Sequence, residues 1–298
     1  MQIYVEWTSA SFAADLIDAA GAVVAEIRQP LGVNQVKDGA FEARFRELIP
    51  ADWRHRATHA YLAGMITGRG GWLETSFAPA PAGLAEIVAQ GKRLVVDGLP
   101  LLFLSGVSVD DPLPDVMRGE ELKAIAAAGA HPAATVILPG AHTKYVAVEA
   151  GRITRLATYM GGETAALLRR DSLISRLIPE GPEITDAGFE LGLATAWSSD
   201  IAGGLLRRLF SARSLVLFER LPREDIAGYI AGLVTGAEIL EAEAEWSLGS
   251  VPVLVAGSSP DAVRYLTALR RRGIAAASAR IDIGGLIAAL PAPALLPG

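Results

Sequence analysis

The order of elements along this chain repeats once, and that repeat limits the folds open to it. Residues 3–6, 12–17 and 22–27 read as three short strands joined by polar or glycine turns, and residues 135–138, 145–148 and 153–159 read the same way. Each trio is a meander, which only an antiparallel ribbon can make, and each is followed by further strands and helices. No residue-level repeat accompanies this order. A chain that builds one arrangement twice is expected to form two similar α/β lobes with a cleft between them. Turn chemistry at Gly129-Ala-His-Pro132 puts the boundary near residue 130, giving domains 1–130 and 131–298.

The remaining elements follow from apolar periodicity. In the first half, helices are expected at 41–48, 84–89 and 119–128, and strands at 59–66, 93–96 and 101–105. In the second half, helices are expected at 161–177, 186–197, 200–210, 223–242 and 260–272, with a strand at 253–256. The final helix, 283–290, is a candidate to return to the first lobe.

Composition excludes several function classes. With no cysteine, disulfides, thiolate nucleophiles and cysteine metal sites are ruled out, so chemistry falls to carboxylates, histidine, lysine, hydroxyls and backbone. A net charge of -6 and a pI near 5.4 oppose a nucleic-acid surface, and the short Arg270-Arg-Arg272 run suits the end of a helix. Mean hydropathy is +0.33, yet no run of about eighteen apolar residues escapes a charge or a glycine or proline break, and no basic leader precedes residue 12. The chain is therefore expected to be soluble and cytoplasmic, without membrane or nucleic-acid partners. Its alanine-rich, apolar character is compatible with a homodimer.

Two segments carry the chemistry. Asp115-Val-Met-Arg-Gly-Glu-Glu121 is an acid cluster at a helix start, and Leu138-Pro-Gly-Ala-His-Thr-Lys144 is a glycine turn with a cation. Together they provide what phosphoryl transfer requires, a carboxylate to take a hydroxyl proton and donors for phosphate. In the turn, Gly140 allows close backbone approach, and Thr143 and Lys144 add a hydroxyl and a point charge. His142 fits a turn residue as well as a base, and Glu120 and Glu121 fit dipole capping as well as catalysis. Arg118 can fork onto a substrate carboxylate or pair with the acids. The first meander turn, Glu6-Trp-Thr-Ser-Ala-Ser11, offers Thr8 and Ser9 to phosphate and Glu6 to magnesium, or is an ordinary polar hairpin. The loop from Gly64 to Glu74, with Gly68, Arg69 and Trp72, is built to wrap a small polar ligand or to be plugged by its own aromatic. Gly257 and Ser258 sit between a strand and a helix start, where an anion or adenosine has room.

On five ordered segments the chain resembles the 2-dehydro-3-deoxygalactonokinase family of the sugar kinase, Hsp70 and actin superfamily. They are Gly64-Met-Ile-Thr-Gly-Arg-Gly-Gly-Trp-Leu-Glu74, Pro114-Asp-Val-Met-Arg-Gly-Glu-Glu121, Leu138-Pro-Gly-Ala-His-Thr-Lys-Tyr145, Thr158-Tyr-Met-Gly-Gly-Glu163 and Gly228-Tyr-Ile-Ala-Gly-Leu-Val-Thr-Gly-Ala-Glu238. The resemblance implies two ribonuclease-H-like (actin-like ATPase) lobes closing over ATP and magnesium. It also implies transfer of phosphate to the terminal hydroxyl of 2-dehydro-3-deoxy-D-galactonate in galactonate catabolism. By the same resemblance Glu120 is the base, with Asp115 second. Arg118, Arg69, Glu74 and Gly68 contact the sugar acid, Thr8, Ser9, Gly140, His142, Thr143, Lys144, Gly257 and Ser258 line the nucleotide, and Glu6 faces the metal.

The first turn departs from the family pattern, close to Asp-Trp-Gly-Thr-Thr-Asn-Phe-Arg. Here it reads Glu6-Trp-Thr-Ser-Ala-Ser-Phe-Ala13, and Ala141 stands where threonine is usual. Thr8 adds a β-branched side chain where backbone is expected to approach phosphate, and Glu6 lengthens the acid by one methylene. A second reading follows: a kinase fold that binds a sugar acid or a partner without efficient transfer.

Overall fold

The computed structural model describes residues 1–181 and 183–290. The chain divides into two compact units. The first comprises Met1–Ala133, Val146–Leu156 and the segment from Arg280, and the second comprises Ala134–Tyr145 and Ala157–Ala279. This differs from a single cut at residue 130, because the Val146–Leu156 hairpin and the C-terminal segment group with the first unit. Residues 291–298 of the expected second domain lie outside the described residues.

The first unit opens with β1 (Gln2–Trp7), β2 (Phe12–Ile17) and β3 (Val23–Gln29), joined as an antiparallel meander. After α1 (Phe41–Leu48) and α2 (Ala51–Arg56) come β4 (Ala60–Ala63), β5 (Phe77–Pro79), α3 (Leu84–Ala89), β6 (Lys92–Val96) and β7 (Leu99–Phe103). Then follow β8 (Gly106–Val109), β9 (Asp115–Met117) and α4 (Glu121–Ala128). The main sheet runs β3-β2-β1-β4-β7-β6, and β5-β8-β9 form a small separate sheet.

Strand alternation decides what β1 presents to each side. Ile3, Val5 and Trp7 enter a core with Phe12, Ala14 and Leu16 of β2 and with Phe41 and Phe45 of α1. Trp7 meets Phe12 and Phe41 edge-on, with ring centroids 5.0 and 5.9 Å apart. Each large apolar side chain so buried contributes about 1.5–3 kcal/mol. Because the side-chain period is two, fixing Trp7 inward fixes Tyr4 and Glu6 on the opposite face, and a one-residue slip would invert both.

From β10 (Ala133–Leu138) onward the elements are β11 (Thr143–Glu149), β12 (Arg152–Tyr159), α5 (Gly161–Asp171), α6 (Asp186–Trp197), α7 (Leu205–Leu209) and α8 (Ser211–Leu217). They continue with α9 (Ile226–Glu245), β13 (Val253–Ala256), α10 (Pro260–Arg271), β14 (Ala276–Ala279) and α11 (Ile283–Ala288). The second sheet runs β12-β11-β10-β13-β14. α11 belongs to the first unit and packs against α4.

The second unit is organised around α9, a 20-residue helix apolar almost all round and mostly buried. It crosses α6 with no side-chain layer between them. Gly188 and Gly192 on α6, and Gly228 and Gly232 on α9, are each spaced by one turn. A methyl at Gly192 would lie 2.2 Å from the Tyr229 carbonyl, and one at Gly232 would lie 2.0 Å from that of Phe189. The backbones therefore touch directly. Among the described residues, no helix is long and apolar enough to cross a membrane.

Several expected boundaries are corrected. The helix expected at 119–128 starts at Glu121, because Gly119 adopts a φ of 107° in the left-handed region. The helix expected at 161–177 ends at Asp171, with a separate 3-10 turn at Ser175–Leu177. The one at 200–210 is replaced by α7 and α8, and the one at 223–242 by a 3-10 turn at Arg223–Asp225 leading into α9.

Candidate active site

In the first unit, the loop after β4 and the connection from β9 into α4 are brought together. Arg118 is the fastener. Its Nη1 donates to the carbonyl of Thr67 (2.7 Å), the hydroxyl of Thr67 (2.8 Å) and the hydroxyl of Thr75 (2.7 Å), while Nη2 donates to the Thr75 carbonyl (3.1 Å). The guanidinium also lies 4.2 Å from the Phe77 ring centroid, in cation–π contact. Of the two roles expected for Arg118, a fork onto a substrate carboxylate or a pair with the acids, neither describes these bonds: the fork holds the Gly64–Glu74 loop. The same junction brings backbone together, since a methyl on Gly119 would sit 3.0 Å from the Cα of Gly64. Gly68 is buried and donates its amide to the Met65 carbonyl, whereas Arg69 and Glu74 are exposed beside it.

The acids fall into distinct environments. Asp115 lies in β9 rather than in a coil before the helix, and its Oδ1 accepts from the Val116 amide at 2.7 Å. Glu120 is the N-cap of α4, half-buried, and its Oε2 accepts from the Arg118 amide at 3.2 Å. Glu121 is 1% exposed and accepts from the Gly119 amide at 2.7 Å. Burial pushes its carboxyl up to about 8, and the neighbouring Glu120 charge adds to this, while the Gly119 hydrogen bond and Arg118 oppose it. At neutral pH Glu121 is therefore mostly protonated and enclosed.

That state makes stability pH-dependent with a definite sign. In the unfolded chain Glu121 loses its proton near the ordinary value of 4.5, and in the folded protein only near 8, so between these values the native state binds more protons. Stability is fully present below about 4.5 and lost as pH rises through about 8. Denaturant midpoints measured from pH 5 to 9 should fall for wild type and flatten for Glu121→Gln.

The first turn does not match the expected phosphate cradle. The Thr8 hydroxyl accepts from the amides of Ala10 (3.2 Å) and Ser11 (2.9 Å) and lies 3.0 Å from the Ser11 hydroxyl, so the turn satisfies its own donors. Ser9 is exposed, and its carbonyl faces Gly32, where a methyl would come within 1.8 Å. Glu6, expected to ligate magnesium, is ion-paired with Lys123 of α4. A divalent ion at Glu6 would have to displace an ammonium group. Among the described residues, no group of three or more histidines and acids is placed to hold a metal. The residues present do not fit a protein-bound magnesium at Glu6.

In the second unit, a cavity is lined by Pro139, Gly140 and Thr143 of the glycine turn, Gly161 and Gly162 at the start of α5, and Glu238 of α9; Arg169, Asp261, Arg264 and Tyr265 are also on its wall. Above Gly140 nothing lies within 4 Å of where a methyl would be, so its backbone is open to a ligand. A methyl on Gly162 would instead collide with the Gly140 carbonyl at 2.0 Å, and this contact sets the α5 N-terminus against the turn. An open glycine backbone, a hydroxyl and two guanidinium groups suit a polyphosphate.

The other expected nucleotide residues are placed elsewhere. His142 pairs with Glu163 at 2.6 Å, both exposed. Lys144 is 7% exposed and donates to the Thr158 hydroxyl at 2.7 Å, so it is an interior hydrogen-bonding group rather than a free cation at the turn. Gly257 and Ser258 do not line the cavity, and the Gly257 amide bonds the Ala279 carbonyl at 3.2 Å. Sequence alone leaves Glu121 open between capping and catalysis, and it assigns no role to Lys123, Glu238, Arg169, Arg264 or Tyr265. Glu238 and Gly161 lay inside quoted segments, and that was the only signal.

A family model described as 2-keto-3-deoxy-galactonokinase matches residues 6–289. The chain belongs to the 2-keto-3-deoxy-galactonokinase family. It is 31% identical over 276 residues to the 2-dehydro-3-deoxygalactonokinase of Escherichia coli strain K12, covering 91% of this chain and 90% of that one. A crystal structure from Sinorhizobium meliloti, described as a candidate 2-dehydro-3-deoxygalactonokinase, superposes with a TM-score of 0.84 at 27% identity, covering 97% of this chain and 96% of the other. A Porphyromonas gingivalis structure, described as a candidate N-acetylglucosamine kinase, shares the fold at 15% identity and a TM-score of 0.52, covering 96% of this chain and 97% of that one. Galactonokinase family membership makes this a two-lobed sugar-kinase fold and a chain of a carbohydrate-kinase family.

Proposed function

We propose that this chain is a cytoplasmic, ATP-dependent kinase that phosphorylates the terminal (6-) hydroxyl of 2-dehydro-3-deoxy-D-galactonate, a step of galactonate catabolism. The observation that carries this reading is the contrast between Glu120 and Glu121. Glu120 is half-buried at the N-cap of α4, beside a loop presenting Arg69 and Glu74, whereas Glu121 is enclosed and mostly protonated at neutral pH. A general base must be reachable and able to take a proton, and Glu121 is enclosed and mostly protonated, so the role falls to Glu120, which accepts the hydroxyl proton. Asp115 stands second. Arg69, Glu74 and Gly68 bind the sugar acid, and Arg118 holds their loop in place. Gly140 and Thr143 receive the nucleotide phosphates, with Arg169 and Arg264 as counter-charges. ATP supplies the phosphoryl group. Magnesium bound to the nucleotide would supply charge for its phosphates, and Glu6, paired with Lys123, would not hold it.

The Glu6–Lys123 pair and the self-satisfied turn at Thr8 favour a second reading, a protein that binds the sugar acid without efficient transfer. Calorimetry separates the two. The kinase reading expects binding of both the sugar acid and the magnesium nucleotide, and sugar-acid binding with no nucleotide binding would leave only the second.

A further inference from the structure

Glu238 is 5% exposed, on the floor of the second-unit cavity, where four elements meet. Its carboxylate accepts from the Tyr265 hydroxyl of α10 at 2.7 Å. Thr143 of β11 and Gly161 at the start of α5 line the same cavity, and hydrogen bonding from the Thr143 hydroxyl and the Gly161 amide holds the Glu238 carboxyl down. Tyr265 in turn bonds the hydroxyl of Tyr145 on β11. Donation to Glu238 occupies the single hydrogen of the Thr143 hydroxyl.

We propose that Glu238 is the positioning acid of this cavity, taking up a proton from solvent as nucleotide phosphates enter and thereby turning the Thr143 hydroxyl toward them. The inference rests on the cavity being the nucleotide site. With Glu238 ionised, Thr143 donates to the carboxylate, and a fixed negative charge lies beneath an incoming polyanion, which is repulsive in a poorly solvated site. With Glu238 protonated, the carboxyl hydrogen goes to the Thr143 oxygen, and the Thr143 hydrogen is released to a phosphate oxygen. One proton is bound, no covalent bond to phosphorus changes, and the repulsion disappears.

The surroundings support this direction. Burial, the largest influence, pushes the Glu238 carboxyl up to about 7, and Glu241 on the same helix adds to it, while the hydrogen bonds from Tyr265, Thr143 and Gly161 oppose it. The charged groups lining the cavity are Arg169 from α5 and Arg264 and Asp261 from α10. Two cations and one acid leave the cavity able to attract phosphate once Glu238 is neutral.

Isothermal calorimetry of ATP binding, without sugar acid, in two buffers of different ionisation enthalpy at pH 7.5 tests the proposal. Wild type should show net proton uptake, and its dissociation constant should rise by up to about tenfold per pH unit above neutrality. Glu238→Gln, an amide that can still donate to the Thr143 oxygen, should keep nucleotide affinity while abolishing proton uptake and flattening the pH profile. Wild-type binding without proton uptake overturns this inference and leaves the kinase reading intact. No nucleotide binding by wild type overturns both. Should Glu238→Gln fail to fold, the buffer dependence of wild type alone decides.

Discussion

Replacing Glu120 by glutamine is expected to lower kcat about 10²- to 10⁴-fold with 2-dehydro-3-deoxygalactonate and ATP, with little change in either KM. Glutamine keeps the shape of the side chain and still accepts a hydrogen bond from the Arg118 amide, so the helix start should survive. What it cannot do is take the proton of the attacking hydroxyl. Glu121→Gln is the informative companion. Glu121 is already mostly protonated at neutral pH and enclosed, so its amide should leave kcat within a small factor while shifting the pH dependence of stability. Steady-state rates of the two variants, with folding checked by circular dichroism, decide the assignment. A large kcat loss in Glu121→Gln with a near-normal Glu120→Gln would transfer the base role to Glu121.

Gly232→Ala should destabilise the protein although alanine is the better helix former. The new methyl would lie 2.0 Å from the Phe189 carbonyl, and that atom is backbone, which cannot rotate away. Overpacking costs about 1–3 kcal/mol and more where rigid atoms are struck, whereas helix propensity returns about 1 kcal/mol. The clash wins, by up to about 2 kcal/mol net, and by more if the struck backbone cannot shift. Gly140→Ala is the control, because its methyl meets nothing within 4 Å and should leave the denaturant midpoint unchanged. Equal midpoints for Gly232→Ala and wild type would mean that α6 and α9 separate cheaply, contrary to their backbone contact.

The strongly patterned elements are legible in sequence, among them α1, α6 and both meanders, because their apolar periods extend over enough residues to be read. The small sheet was not. β5, β8 and β9 span only three or four residues each, too few for a period of two to show, and Asp115 was consequently placed before a helix instead of in β9. α8 and β14 were missed for related reasons: one follows α7 after a single residue, and the other is the alanine-rich Ala276–Ala279, with no apolar alternation.

The segments that carry the site were readable, while their pairings were not. Lys123 meets Glu6 across 117 residues and Tyr265 meets Glu238 across 27, on separate elements. Burial sets the character of Glu121 and Glu238, and local sequence does not encode it. Arg118 shows the limit most plainly: its type and position suit a carboxylate clamp, and only the fold shows Thr67 and Thr75 already holding the fork.

The central claim is phosphoryl transfer from ATP to the terminal hydroxyl of 2-dehydro-3-deoxy-D-galactonate. The most direct measurement is mass and NMR analysis of the product formed by this chain from that sugar acid and magnesium ATP. A single phosphorylated product carrying phosphate on the terminal carbon is the predicted result. Bound sugar acid recovered unphosphorylated, with no turnover on any 2-keto-3-deoxy acid, would contradict it.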